Sequence, residues 1–246
     1  MTTILAVDIR SVKLEDREVL CGINLSFSGG QLVGIVGPNG GGKTTLLHCL
    51  AGLTSFSGIA TLDGKPLRYQ RRRIALLQQN PELGLHVPLT ALEVVLLGSL
   101  CRGRWIRRPG RGERRRALAI LEQLGIGGLA SHAFSSLSGG EQAMTLLGRC
   151  LLSGADVYLL DEPYSHVDAR GERAMHRVLG DLVEAGKLVI VVDHHLQHLS
   201  AEGYGRILLI RNWLVADGPP QKVLRPDVLE SAYGNELRTM ALGARR

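Results

Sequence analysis

Gly37-Pro38-Asn39-Gly40-Gly41-Gly42-Lys43-Thr44-Thr45 is the stretch on which the fold turns. It follows the apolar run Leu32-Val33-Gly34-Ile35-Val36 and leads into Leu46-Leu47-His48-Cys49-Leu50. That order predicts a strand, a glycine loop and a helix. Glycines leave room for a backbone to wrap a polyphosphate, and the amide end and dipole of the following helix face its charge. Lys43 adds a mobile positive charge, and Thr44 a hydroxyl suited to Mg²⁺.

With 246 residues and 45% apolar content, the chain can bury one large or two small cores. Its longest clean apolar runs, such as Leu188-Val189-Ile190-Val191-Val192 closed by Asp193, are of strand length. They fall short of the roughly 18 residues that cross a bilayer, and no signal peptide is expected. Cys21, Cys49, Cys101 and Cys150 form no C-x-x-C pair, which favours reduced structural thiols in a cytosolic compartment. The formal charge of +6 is uneven, with eight arginines between Arg102 and Arg116 and a second cluster at Arg71-Arg72-Arg73. Basic clusters can meet nucleic acid or anionic lipid. With three Phe, two Trp and five Tyr in the whole chain, base stacking has little to work with. The expectation is therefore a solvated helix face and loop, with no nucleic-acid partner.

Outward from the loop, residues 4–28 alternate apolar and polar around Glu15-Asp16-Arg17, the pattern of an antiparallel hairpin layer. Short strands are predicted at Ile59-Ala60-Thr61-Leu62 and Ile74-Ala75-Leu76-Leu77, the latter ending in Gln78-Gln79-Asn80-Pro81. From about residue 89 to 152 the apolar spacing is helical, which predicts an insertion broken by an Arg-rich loop around Pro109-Gly110 and by residues 125–128. Strands return at Val157-Tyr158-Leu159-Leu160, 188–192 and 207–210, with a helix over 172–185. Strand and helix alternating about a phosphate loop argue for a parallel sheet flanked by helices, with ligands at the strands' carboxyl ends.

Asp161-Glu162 closes one of those apolar strands. One carboxylate there can hold the cation bound to Thr44 while its neighbour polarises an attacking water, because successive residues at a strand end point different ways.

Leu137-Ser138-Gly139-Gly140-Glu141-Gln142 offers a second anion site, a hydroxyl and two glycines opening a helix from Glu141. One nucleotide would hardly use two cradles from one chain. With the preceding motifs, this segment resembles the L-S-G-G-Q/E signature of the ATP-binding cassette (ABC) ATPases. The resemblance implies an α/β P-loop NTPase (RecA-like) core with an antiparallel β layer and an inserted helical subdomain. It makes residues 1–246 a single domain, with the core at about 1–86 and 153–246 and the helical part at about 87–152. It also implies two copies packed head to tail, each ATP lying between one copy's phosphate loop and the other's signature.

Carried over residue by residue, the resemblance assigns Gly37, Asn39, Gly40, Gly41, Gly42, Lys43, Thr44 and Thr45 to one half of the nucleotide site. Ser138, Gly139, Gly140 and Glu141 belong to the other half, with Asp168 as the D-loop aspartate in Ser165-His166-Val167-Asp168. Mg²⁺ falls to Thr44, Gln79 and Asp161. Glu162 acts on the water, Gln79 is the Q-loop glutamine (Gln78 is the alternative by one residue of register), and His194 is the switch histidine near the γ-phosphate. His194 and His198 share i, i+4 spacing, but no third ligand argues for a metal there. The sequence departs from the family's pattern in four places. Leu14 stands where an aromatic residue usually stacks on adenine, Ala143-Met144 replaces Gln-Arg, His166 replaces a small apolar residue, and Asp193 replaces a hydroxyl residue.

A lone cassette without a fused membrane domain looks like the separate ATPase subunit of a bacterial importer. The implied partners are an integral membrane permease and an extracytoplasmic substrate-binding protein, and the implied place is the cytoplasmic face of the inner membrane. Pro88-Leu89-Thr90-Ala91-Leu92-Glu93-Val94-Val95-Leu96-Leu97-Gly98, Trp105-Ile106-Arg107-Arg108-Pro109 and Leu229-Glu230-Ser231-Ala232-Tyr233-Gly234 are similar to cassettes of the manganese, zinc and iron importer group. Siderophore and cobalamin importers are close relatives. Two other classes remain as alternatives: a soluble ABC ATPase acting on ribosomes or DNA, which usually joins two cassettes or carries coiled-coil inserts, and a regulatory cassette that only binds nucleotide.

Overall fold

The computed structural model describes residues 4–78, 88–102, 109–194, 199 and 203–234. The expected hairpin layer is there. β1 (Ile4–Leu14) and β2 (Arg17–Ser28) pair antiparallel across a turn in which Glu15 and Asp16 both take positive φ. That turn matches the twist of the strands it joins. β1 also pairs antiparallel with β4 (Ser57–Leu62), and β4 turns at Asp63-Gly64 into β5 (Lys65–Pro66). Alternate residues of the hairpin, including Leu5, Val7, Ile9, Leu20, Ile23, Leu25 and Phe27, are buried on one face.

The second sheet is six-stranded, in the order β10-β9-β3-β8-β7-β6. β3 (Gln31–Val36), β6 (Ile74–Leu77), β7 (Val157–Asp161), β8 (Leu188–Val192) and β9 (Arg206–Ile210) run parallel, and β10 (Leu214–Gly218) returns antiparallel. β7 and β8 are buried at every position because helices or the first sheet cover both faces. Val33, Ile35, Ile190 and Leu208 face α1 (Lys43–Leu50) and the hairpin layer, whereas Leu32, Val36, Val191 and Leu209 join the core on the other side.

Among the described residues between β6 and β7 lie three α-helices: α2 (Ala91–Leu96), α3 (Arg111–Gln123) and α4 (Gly139–Ser153). Of the arginine cluster expected as a solvated helix face and loop, the second half is an exposed helix face. Glu113 Oε2 accepts the Gly110 N–H at 2.8 Å and starts α3, so Arg111 and Arg114-Arg115-Arg116 stand on a helix. Two helices also open earlier than their apolar spacing suggests. α4 begins at Gly139 because Ser138 caps it, and α5 (Ala169–Glu184) begins at Ala169 because Asp168 accepts the Gly171 N–H at 2.7 Å. The chain closes with α6 (Pro220–Val223) and α7 (Pro226–Tyr233).

Cys21, Cys49 and Cys150 take part in no disulfide, and burial lifts the Cys49 thiol to about 12, which makes it a packing group. Among the described residues no helix is long and apolar enough to cross a membrane.

Candidate functional site

Parallel pairing of β3, β8 and β7 brings three strand ends together. Ile35 is level with Val192, and Val192 with Asp161. The glycine loop, Asp161-Glu162 and Asp193-His194 therefore leave the sheet side by side at its carboxyl edge.

Gly37 begins the loop with φ 152°, and a Cβ there would sit 1.9 Å from the Ile210 carbonyl oxygen. Only glycine fits. Lys43 is buried to 7% exposure and its Nζ donates to the carbonyls of Gly37 at 2.8 Å and Pro38 at 2.9 Å. The ammonium thus lies back across the loop. The N-terminus of α1 has no side-chain cap and no acidic residue in its first turn, whereas Thr90, Ser138 and Asp168 cap α2, α4 and α5. An uncapped helix end behind a buried lysine is fitted to an anion.

Asp161 is 4% exposed. Burial, the largest influence, pushes its carboxyl above the usual range, and nearby Glu162 adds to this; the hydrogen bond from Thr44 and the charges of His48 and Lys43 oppose it. A desolvated carboxylate bonded to a threonine hydroxyl is a pair of hard oxygen donors, so these residues fit Mg²⁺. Glu162 takes a left-handed backbone, φ 46°, and its N–H donates to Val192 O at 2.9 Å. That conformation is uncommon outside glycine and concentrates at functional sites. Its Oε2 lies 3.4 Å from His194 Nδ1. Gln78 Nε2 is 3.4 Å from His48 Nε2. Gln79, His195 and His198 lie outside the described residues.

The signature residues are organised as a capping box. Ser138 Oγ and its N–H both donate to Glu141 Oε2 at 2.8 Å, and Ser138 Oγ accepts from the Glu141 N–H. These bonds hold the Glu141 carboxyl below its usual value. Gly140 packs so close to the D-loop that a Cβ would meet His166 O at 2.5 Å. A cavity of about 570 Å³ opens beside them, lined by Ser138, Gly140, Glu141, His166, Asp168 and Arg170 among others. None of its lining residues comes from the loop at 37–45. Of the departures, Met144 is buried against this cavity and Asp193 is 2% exposed, while Leu14 stands 44% exposed near the hairpin tip.

Two contacts to the loop and one beside it were not anticipated. Asn212, in the β9–β10 turn at φ 60°, donates its N–H to Gly41 O at 2.8 Å and its Nδ2 to Val19 O at 2.8 Å. His48 stands one helical turn beyond Thr44 and reaches Gln78. Tyr233 reaches Gly37. An Asn in a short hairpin turn signals a left-handed residue, but nothing in the sequence announces its partner.

A glycine loop, a buried aspartate beside the loop's threonine and a glutamate at a parallel sheet's edge define a phosphate-loop nucleotide hydrolase. A family model described as "ABC transporter" matches residues 20–165. The zinc transport system ATP-binding protein TroB of Treponema pallidum is 36% identical over 94% of this chain and 87% of its own. The manganese transport system ATP-binding protein MntB of Bacillus subtilis is 38% identical over 94% of this chain and 92% of its own. Among solved structures, an inward-facing putative metal-chelate type ABC transporter aligns over 94% of this chain and 89% of that one, with TM-score 0.80 and 24% identity. A nucleotide-free ATP-binding cassette aligns over 93% and 98%, with TM-score 0.78 and 23% identity. The chain belongs to the ABC transporter family, as one of its ATP-hydrolysing cassettes, and the expected fold and activity hold. These relatives are named as the ATP-binding proteins of transport systems.

Proposed function

We propose that this chain powers a bacterial importer of a divalent metal ion, manganese, zinc or iron, from the cytoplasmic face of the inner membrane. The observation that carries the metal is the match, near full length, to ATP-binding proteins named for manganese and zinc transport. Among the described residues no cluster of His, Cys, Asp or Glu offers a place for cargo, which passes through the permease after delivery by an extracytoplasmic binding protein.

Lys43 leaves the Gly37 and Pro38 carbonyls and meets the β- and γ-phosphates, while the loop amides of residues 39–45 wrap the chain of phosphates. Thr44 and Asp161, with Gln79 as the expected third contact, would hold Mg²⁺, which would neutralise charge on the phosphates. Glu162 orients and deprotonates the attacking water, and His194, 3.4 Å away, donates to the γ-phosphate. Leu14 offers apolar contact to the base without stacking.

The signature cavity draws no residue from the loop of its own chain, which supports a head-to-tail pair in which Ser138, Gly139, Gly140, Glu141 and Asp168 complete the site of the other copy. Mixing two inactive variants tests this. Lys43→Ala and Ser138→Arg are each dead alone, but a mixed pair keeps one intact site, so mixing restores hydrolysis if sites are shared. Zero recovery at any ratio removes the shared site. For the cargo, uptake of ⁵⁴Mn, ⁶⁵Zn and ⁵⁵Fe is compared in cells with the chain and with Lys43→Ala; equal uptake of all three rejects a metal importer.

A further inference from the structure

The phosphate loop is held from behind by the far end of the chain. Tyr233 is the last residue of α7 and 5% exposed, and its hydroxyl accepts the buried Gly37 N–H at 3.0 Å, across 196 positions of sequence. The helix that carries it is anchored by Leu229, 5% exposed, and Ala232, 1% exposed, in the core beneath the sheet. Arg211, in the β9–β10 turn, adds a bond from Nη1 to Ser231 O at 3.4 Å. Gly37 is therefore gripped on both sides, its N–H by the phenol and its C=O by Lys43 at 2.8 Å. It also has little room to move, with Ile210 O pressed against the face where a Cβ would be.

We infer that Tyr233 is a positioning residue for nucleotide binding: its hydroxyl fixes Gly37, and so holds the loop in the shape that receives the triphosphate before ATP arrives. The inference rests on the reading of residues 37–45 as the phosphate loop. The next residue, Pro38, has no N–H, so it is the Gly37 amide that ties the start of the loop to α7, while further along Gly41 O accepts from Asn212. Removing the hydroxyl leaves a buried N–H without its acceptor, a state a folded chain avoids by shifting the backbone. A shifted loop must be reordered by the nucleotide, which lowers apparent affinity by the fraction of time spent in the wrong shape. Once ATP fills the loop, its phosphates impose the order themselves, so turnover at saturation is preserved.

The test uses the full-length chain with ATP as titrant. Tyr233→Phe keeps the ring and removes only the hydroxyl. The expected result is a Kd for ATP raised about 3- to 10-fold, KM raised in step, and turnover at saturating ATP within about twofold of the parent. Hydrogen exchange at the Gly37 amide should be faster without nucleotide and return to the parent's rate with it. Val223→Ala, buried in α6 away from the loop, controls for general loss of stability and should leave the Kd unchanged. An unchanged Kd in Tyr233→Phe, a fall in turnover with KM unaltered, or an equal loss of affinity in Val223→Ala overturns the inference. Lys43→Ala separates the two levels: parental ATP binding in that variant sinks the phosphate-loop reading itself, while abolished binding beside a normal Tyr233→Phe sinks only the role of the tyrosine.

Discussion

His194 Nδ1 lies 3.4 Å from Glu162 Oε2, although the two residues follow different strands, β7 and β8, which pair side by side in the sheet. Glu162 reaches this position through its left-handed backbone, φ 46°. Glu162→Gln keeps the shape and loses the base, so hydrolysis should fall roughly 10²-fold or more while ATP still binds. Phosphate release and nucleotide titration on one preparation check it; undiminished turnover takes Glu162 out of the base role.

Asp161 is predicted to cost the empty protein stability. Burial raises its pKa, so the folded chain holds that proton more tightly than the unfolded chain. Stability therefore declines as pH rises from below the ordinary carboxyl pKa through the raised one, and the cost is complete above the raised one. Asp161→Asn should raise the nucleotide-free melting temperature at pH 7 by on the order of 2 °C. The gain should shrink toward pH 4 and come with loss of Mg²⁺-dependent hydrolysis. A lower melting temperature at pH 7 would contradict it.

Arg73 ties the two sheets together. Its Nη2 is 2.7 Å from Asp63 Oδ2 at the β4–β5 turn and its Nε 2.7 Å from Asp156 Oδ2 before β7, while Lys187 Nζ is 2.8 Å from Asp156 Oδ1. Burial pushes Asp156 up, yet the bonds from Lys187 and Arg73 outweigh it and hold the carboxyl below its usual value. That contribution is present above the unfolded pKa and lost as pH falls through the lowered one. The groups are about one-third exposed, so Arg73→Gln should cost only about 1–2 kcal/mol at pH 7 and less near pH 3. Urea unfolding at the two pH values measures both.

Gly140 packs directly against the D-loop, where a Cβ would meet a main-chain oxygen 2.5 Å away. A backbone atom cannot swing aside, so Gly140→Ala must separate the two segments. Hydrolysis should drop at least about tenfold with ATP binding to the separate chain retained. Parental hydrolysis would mean that the spacing is immaterial.

Much of the architecture was legible because it is written in short range. Alternation gave the hairpin layer, continuous apolar runs the buried strands, and the strand-loop-helix order the phosphate loop. Helix starts lie earlier than the apolar spacing shows at α3, α4 and α5, because the bond from the Gly110 N–H to Glu113 and the caps Ser138 and Asp168 start each helix in a polar or glycine-containing stretch that carries little apolar period.

The amino-acid sequence by itself determined the chemical inventory: Lys43, Thr44, Asp161, Glu162 and His194 fall in family order, each beside the strand that delivers it. Only the tertiary structure decided what holds that inventory still. Tyr233 on Gly37, Asn212 on Gly41 and His166 against Gly140 are each single hydrogen bonds or close contacts between distant segments. They leave no periodic trace, because one contact fixed by packing carries no repeat for local spacing to reveal.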